Sequence, residues 1–158
     1  MDAVRRRLHS AIRRSLHFYW WLSRGLTVGV RAVVVDAAGR VFLVKHTYIE
    51  GWHLPGGGVE AGETLAAALA RELREEGNIE LDGEPTLFAV YFNRRVGRRD
   101  HVALYLVRSF RQSAPPQPNH EIAEHGFFAP DSLPPDATRA TRERLAEALG
   151  GKAADPVW

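Results

Sequence analysis

Glu72, Glu75 and Glu76 stand at i, i+3 and i+4 in a run rich in Ala, Leu, Glu and Arg. On a helix this spacing gathers three carboxylates within an arc of roughly 100°. Leu65, Leu69 and Leu73 fall in an adjoining arc of roughly 80°, a stripe that would face a core. Like charges so placed repel by roughly 0.2–0.5 kcal/mol per pair, and Arg71 offsets part of this through Glu75. A cation on the acidic face offsets the rest. Hard oxygen donors suit Mg²⁺, which takes one or two carboxylates and completes its shell with waters and substrate phosphates. A solvated acidic face is the plain reading of any Glu-rich helix. Here the segment ahead argues otherwise: Gly56, Gly57 and Gly58 let backbone amides and carbonyls approach a ligand beside the carboxylates.

Gly57, five residues, Glu63, seven residues, then Arg71, Glu72, Leu73, Arg74, Glu75 and Glu76 resemble the signature box of the Nudix hydrolase superfamily. Trp52, His53, Leu54 and Pro55 lead into the box as in that family. Phe127 and Phe128, followed by Leu133 and Pro134, resemble its late strand and exit. One position departs: Asn78 stands where the family has glycine. A left-handed residue is wanted there to end the helix, and asparagine is the usual second choice; Gly77, one residue earlier, is the other candidate for that role.

The resemblance implies an α/β fold of the Nudix type, an α/β/α sandwich around a mixed β-sheet. It implies Mg²⁺ or Mn²⁺ held by Glu72 and Glu76, with Glu75 a ligand or water-orienting base and the Gly57 carbonyl a further ligand. Glu63 and Arg71 would brace the loop against the helix. A later carboxylate often joins the site in the family; Glu121 is the first candidate and Glu124 the second. The implied reaction is hydrolysis of a diphosphate linkage in a nucleoside diphosphate derivative. ADP-ribose, a similar sugar nucleotide or a nucleoside triphosphate leads the substrates, since no secondary signature follows the box. The alternative is a non-catalytic Nudix-like sensor that binds a nucleotide and regulates a partner. Loss of box carboxylates would mark that sensor, and all three are present.

The elements that must position this site follow from local pattern. Leu26–Asp36 and Val41–His46 read as a hairpin around a turn at 36–39. The predicted helix runs from Thr64 to Glu76. Thr86–Asn93 and His101–Phe110 read as strands joined across 94–100, Gln112–Asn119 as a Pro-rich loop, Glu121–Phe128 as a strand and Ala137–Leu149 as a closing helix. Domain boundaries fall at 1–25 for an amphipathic basic helix, 26–150 for the Nudix-type domain and 151–158 for a C-terminal tail.

The chain of 158 residues, with 45% hydrophobic and 25% charged residues, is sized for one domain. It has no cysteine, which excludes disulfides, thiolate metal sites and the cysteine chemistry of the superfamily's isomerase branch. That composition is compatible with a cytoplasmic location. Net charge is +2, yet residues 1–31 hold seven Arg against Asp2 alone. This N-terminal helical extension is expected to dock on its own domain or on a partner subunit, the latter giving a homodimer. A peripheral membrane contact through its Arg face, a grip on nucleic acid and an organelle transit peptide are the less favoured readings. Tyr48 and Trp52 flank the glycine loop and offer rings to a base or ribose, against a packing role; Gly56, Gly57 and Gly58 would cradle the substrate. Arg94, Arg95, Arg98 and Arg99 cluster at a hairpin tip and would meet phosphates or RNA, against a solvated turn. His46, His53, His101, His120 and His125 show no zinc-type spacing and read as structural.

Overall fold

The computed structural model describes residues 25–117 and 120–158. The N-terminal helix expected over 3–22, with its dimer and membrane readings, lies outside them. The described chain runs β1 (Thr27–Val34), β2 (Val41–His46), β3 (Trp52–His53), α1 (Leu65–Gly77), β4 (Glu80–Leu81), β5 (Thr86–Phe92), β6 (Asp100–Val107), β7 (Phe110–Arg111), β8 (Ile122–Phe128) and α2 (Arg139–Ala148). β1 pairs parallel with β6 along its whole length, and β5 pairs antiparallel with β6, which makes a mixed sheet of order β1-β6-β5. A second sheet, β3-β2-β8, is antiparallel, and β4 and β7 form a short ribbon.

Strand alternation turns these sheets into the middle of a sandwich. Val30, Ala32 and Val34 of β1 and Phe42 and Val44 of β2 pack with Leu69, Leu73 and Ile79 on the α1 side. Val33 and Val35, with Val41 and Leu43, pack instead with Leu54, Tyr91, Leu104 and Leu145 on the α2 side. Because successive side chains point to opposite faces, one strand feeds both cores. Both strands are buried on both faces and read as continuous apolar runs.

The expected hairpin is corrected. Its turn exists, with the Asp36 carboxylate accepting from the amides of Ala38 at 3.0 Å and Arg40 at 2.8 Å. The flanking strands, however, diverge into different sheets after a single bridge between Val35 and Val41. The edge of β1 that a hairpin partner would take is already occupied by the glycine loop. Val30 N donates to Gly57 O at 2.9 Å, Ala32 N to Pro55 O at 3.0 Å, and Val59 N to Val28 O at 2.9 Å. Gly56 sits at φ 134°, and a Cβ there would collide with the Val30 carbonyl oxygen. Glycine is therefore required for the loop to lie along the strand.

Local chemistry fixes α1 at both ends. Thr64 Oγ1 accepts from Ala67 N at 3.1 Å as the N-cap. Asn78, at φ 50° and ψ 37°, terminates the helix in the left-handed region, and its Nδ2 donates to Ala114 O at 2.9 Å. Asn78→Ala should cost about 1–2 kcal/mol from the left-handed backbone and the lost bond. Asn78→Gly should cost less. Urea midpoints of the two variants check the order.

The segment expected as a tail is integrated into the fold. Phe92 N donates to Pro156 O at 2.9 Å and Trp158 N to Phe92 O at 3.1 Å, so residues 156–158 run beside the end of β5. The Trp158 ring stands edge-on to Tyr91 with centroids 5.4 Å apart. Among the described residues no helix is long and apolar enough to cross a membrane.

Candidate active site

Arg71 is the hub that joins helix to loop. Its Nε and Nη2 donate to the two oxygens of Glu63, both at 3.1 Å, while Nη2 also reaches Gly58 O at 3.0 Å. Nη1 donates to Glu72 at 2.7 Å and touches Glu75 at 3.5 Å. This two-point pairing with Arg71 holds the Glu63 carboxyl below its ordinary range. The guanidinium offsets the repulsion that the glutamate spacing creates, and it aligns the loop with the acidic face of α1.

Glu76 is the most constrained of the three glutamates. It is only 4% exposed, and its Oε2 accepts from Gly56 N at 2.7 Å. Burial, the largest cause, pushes its carboxyl up to about 7. Arg31 and the Gly56 amide pull down against that burial, while the neighbouring Glu72 and Glu121 push up. Glu72 lies across the loop, so close to Gly57 that a Cβ on Gly57 would collide with its carboxylate. Glu75 projects to the rim with its side chain 59% exposed. Glu72 and Glu121 thus act electrostatically on Glu76, whereas Glu75 meets the cluster only at its rim, through Arg71.

Among the described residues no three acidic or histidine side chains enclose an ion. The reason is visible in the partners: Glu72 turns to Arg71, and Glu76 turns to the Gly56 amide. The donor set nevertheless fits an open divalent site. It is all oxygen, it holds Glu72 and Glu76 beside one loop, and the Gly57 carbonyl uses one lone pair on Val30 N and keeps a second. Burial raises the Glu76 carboxyl first and the neighbouring Glu72 and Glu121 add to it, so negative charge is crowded where positive charge would be welcome.

Two side chains at this site carried no signal in the sequence. Arg31 stands among the valines of β1, and its Nη1 donates to Leu54 O at 2.8 Å. It acts electrostatically on Glu76, His46 and Tyr48 alike. His46, expected as merely structural, places Nε2 3.7 Å from Glu76 Oε1 with its side chain 4% exposed. Burial first, then Arg31 and His53, push the imidazole down to about 4. It is neutral at pH 7, so the contact is a packed neutral neighbour of Glu76 and no ion pair.

The remaining expected residues separate clearly. Trp52 does not offer a face for stacking: it is 7% exposed and its ring stands edge-on to Phe128 at 4.8 Å. It anchors the loop from below, which corrects the substrate-facing reading. Tyr48 is 63% exposed, at the rim near Glu121 and Glu76, and is free to meet a ligand. Glu124 is engaged by Lys45 at 3.4 Å. A cavity of about 680 Å³ shares Arg31, Gly57 and Gly58 with the acidic site and extends to Asn93, Val96 and Trp158.

The comparisons with known proteins agree with this geometry. A family model for the NUDIX domain matches residues 25–149. The chain superposes with a TM-score of 0.66 on the crystal structure of the MutT NUDIX hydrolase from Burkholderia pseudomallei, at 32% identity, covering 79% of this chain and 99% of that one. An ADP-ribose pyrophosphatase from Streptococcus suis superposes at 0.61 with 23% identity, covering 82% and 96% of the two chains, and shares the fold. A MutT-like protein of Streptomyces ambofaciens is 28% identical over 79% of this chain and 78% of its own. An RNA pyrophosphohydrolase of Halorhodospira halophila is 44% identical over 54 residues, 34% of this chain and only 30% of that relative's length. With the box in place, the loop laid along β1 and the family model spanning most of the sequence, the chain belongs to the Nudix hydrolase family.

Proposed function

We propose that this protein hydrolyses a diphosphate linkage in a nucleoside diphosphate derivative, with Mg²⁺ or Mn²⁺ held by Glu72, Glu76 and the Gly57 carbonyl. The observation that carries this reading is the buried Glu76 hydrogen-bonded to the glycine loop and electrostatically coupled to Glu72, with Gly57 and Gly58 of that loop lining a cavity of about 680 Å³. A divalent ion bound there would neutralise charge on the diphosphate and acidify water. The chain's own residues would supply the rest. Arg31 faces the shared wall of cavity and acidic site and would pair with a phosphate oxygen. Glu75 at the rim, or Glu121, whose charge acts on Glu76, would accept the proton of the attacking water. Arg71 and Glu63 would hold the loop rigid, which matters because phosphoryl chemistry depends mainly on positioning and electrostatics. Tyr48 would cover the outer edge of the site.

ADP-ribose, related sugar nucleotides and nucleoside triphosphates form the test panel. Wild type with Mg²⁺ should release a nucleoside monophosphate or pyrophosphate from at least one of them, and a chelator should abolish release. A protein that binds one of these nucleotides yet turns over none would be the sensor instead.

A further inference from the structure

The arginine cluster at the β5–β6 tip remains unused by this reaction. Its placement is fixed rather than loose. Asn93 Nδ2 donates to Asp100 Oδ2 at 2.8 Å, Asn93 N to Asp100 O at 2.8 Å, and Thr27 Oγ1 to Asp100 Oδ1 at 2.6 Å. One aspartate therefore pins both sides of the tip and the start of β1. Arg94 and Arg95 follow directly, both exposed, and among the described residues neither has a carboxylate within 4.0 Å. They line a second cavity of about 400 Å³ together with Arg139, the first residue of α2.

The two acids in that cavity are already engaged. Glu143 takes Arg139 Nε at 2.7 Å, and Asp155 Oδ1 accepts from Val157 N at 2.8 Å. What remains unmatched is the pair Arg94 and Arg95. Trp158 belongs to the walls of both cavities, so the arginine cavity adjoins the far end of the one that starts at Arg31 and Gly57. Guanidinium groups without carboxylate partners, beside a nucleotide-sized space, fit a phosphate.

We infer that the preferred substrate carries a further phosphate, attached to its nucleoside away from the hydrolysed diphosphate, and that Arg94 and Arg95 bind it across the Trp158 ring. This rests on reading the larger cavity as the nucleotide site. The shared chemistry is a phosphate on the nucleoside's ribose, present as a diester in a 5′-triphosphorylated RNA or as a monoester in a nucleotide 3′-phosphate.

The test compares a 5′-triphosphorylated dinucleotide and a nucleoside triphosphate bearing a 3′-phosphate with the plain nucleoside triphosphate. Both kcat/KM with Mg²⁺ and equilibrium binding with Ca²⁺ are measured, on wild type and on R94S/R95S. Binding reads the preference even if turnover fails, so loss of the hydrolase reading and loss of this inference are separate results. At least one extended substrate should be favoured by about 10- to 100-fold in wild type, steeply weakened by salt. That ratio should fall close to one in R94S/R95S. A ratio near one for both extended substrates in wild type overturns the inference, as does a ratio that survives the double substitution. The arm with the larger ratio identifies the diester or the monoester as the source.

Discussion

Glu76→Gln is expected to lower kcat/KM by on the order of 10³-fold and, in metal-free protein above pH 7, to raise stability. The two effects share one cause. Glu76 is nearly fully buried, and its carboxyl is pushed from 4.5 to about 7, chiefly by that burial. Between those values the folded protein holds a proton that the unfolded chain has released, so stability falls as pH rises through the window. The contribution is fully present below 4.5 and fully lost above 7, a difference of about 3 kcal/mol. Glutamine keeps an oxygen for the Gly56 amide and carries no charge. Denaturation of metal-free protein should therefore show the variant equal to wild type near pH 4.5 and more stable by about 2–3 kcal/mol at pH 8. Equal stability at both pH values would mean that Glu76 is not desolvated as described.

The second large effect lies far from the chemistry. Arg144 on α2 is 2% exposed. Its Nη2 donates to Glu147 Oε1 at 2.8 Å and its Nη1 to Val157 O at 3.0 Å. The guanidinium carbon stands 4.4 Å from the centroid of Tyr91. Tyr91 Oη donates to Glu147 Oε2 at 2.8 Å, and burial, followed by this bond, holds the phenol above its usual range. This network ties α2, β5 and residues 155–158 together. Arg144→Met leaves the Glu147 carboxylate buried without its cation and should cost about 3–5 kcal/mol. Removing both charges in R144M/E147L should recover much of that loss, because the desolvation penalty leaves with the pair. Urea unfolding of the single and double variants measures the difference. A single variant within 1 kcal/mol of wild type would show the pair to be solvated.

These cases show what was legible in the sequence. Spacing alone gave the acidic face of α1 and its leucine stripe, because those depend on neighbours within two turns, while the left-handed end at Asn78 was suggested by the family resemblance, with Gly77 as the other candidate. The partner of β1 was not legible: Val30 and Ala32 bond to a glycine loop some twenty-five residues away, and alternation does not say which segment takes an edge. Arg31 was missed for the same reason, as its role comes from what the loop brings beside it. Arg144 and Glu147 at i, i+3 look like any solvated helical pair until Trp158 and Tyr91 close over them. Trp52 was read from its place beside the loop, whereas burial against Phe128 assigns it to the core.

Calorimetric titration of wild type with Mn²⁺, beside Glu72→Gln and Glu76→Gln, tests the metal site most directly. Wild type should bind Mn²⁺, more tightly as pH rises toward 7 because Glu76 must release its proton, and either substitution should weaken binding by at least about tenfold. Unchanged Mn²⁺ affinity in both variants would contradict a cation held between α1 and the glycine loop.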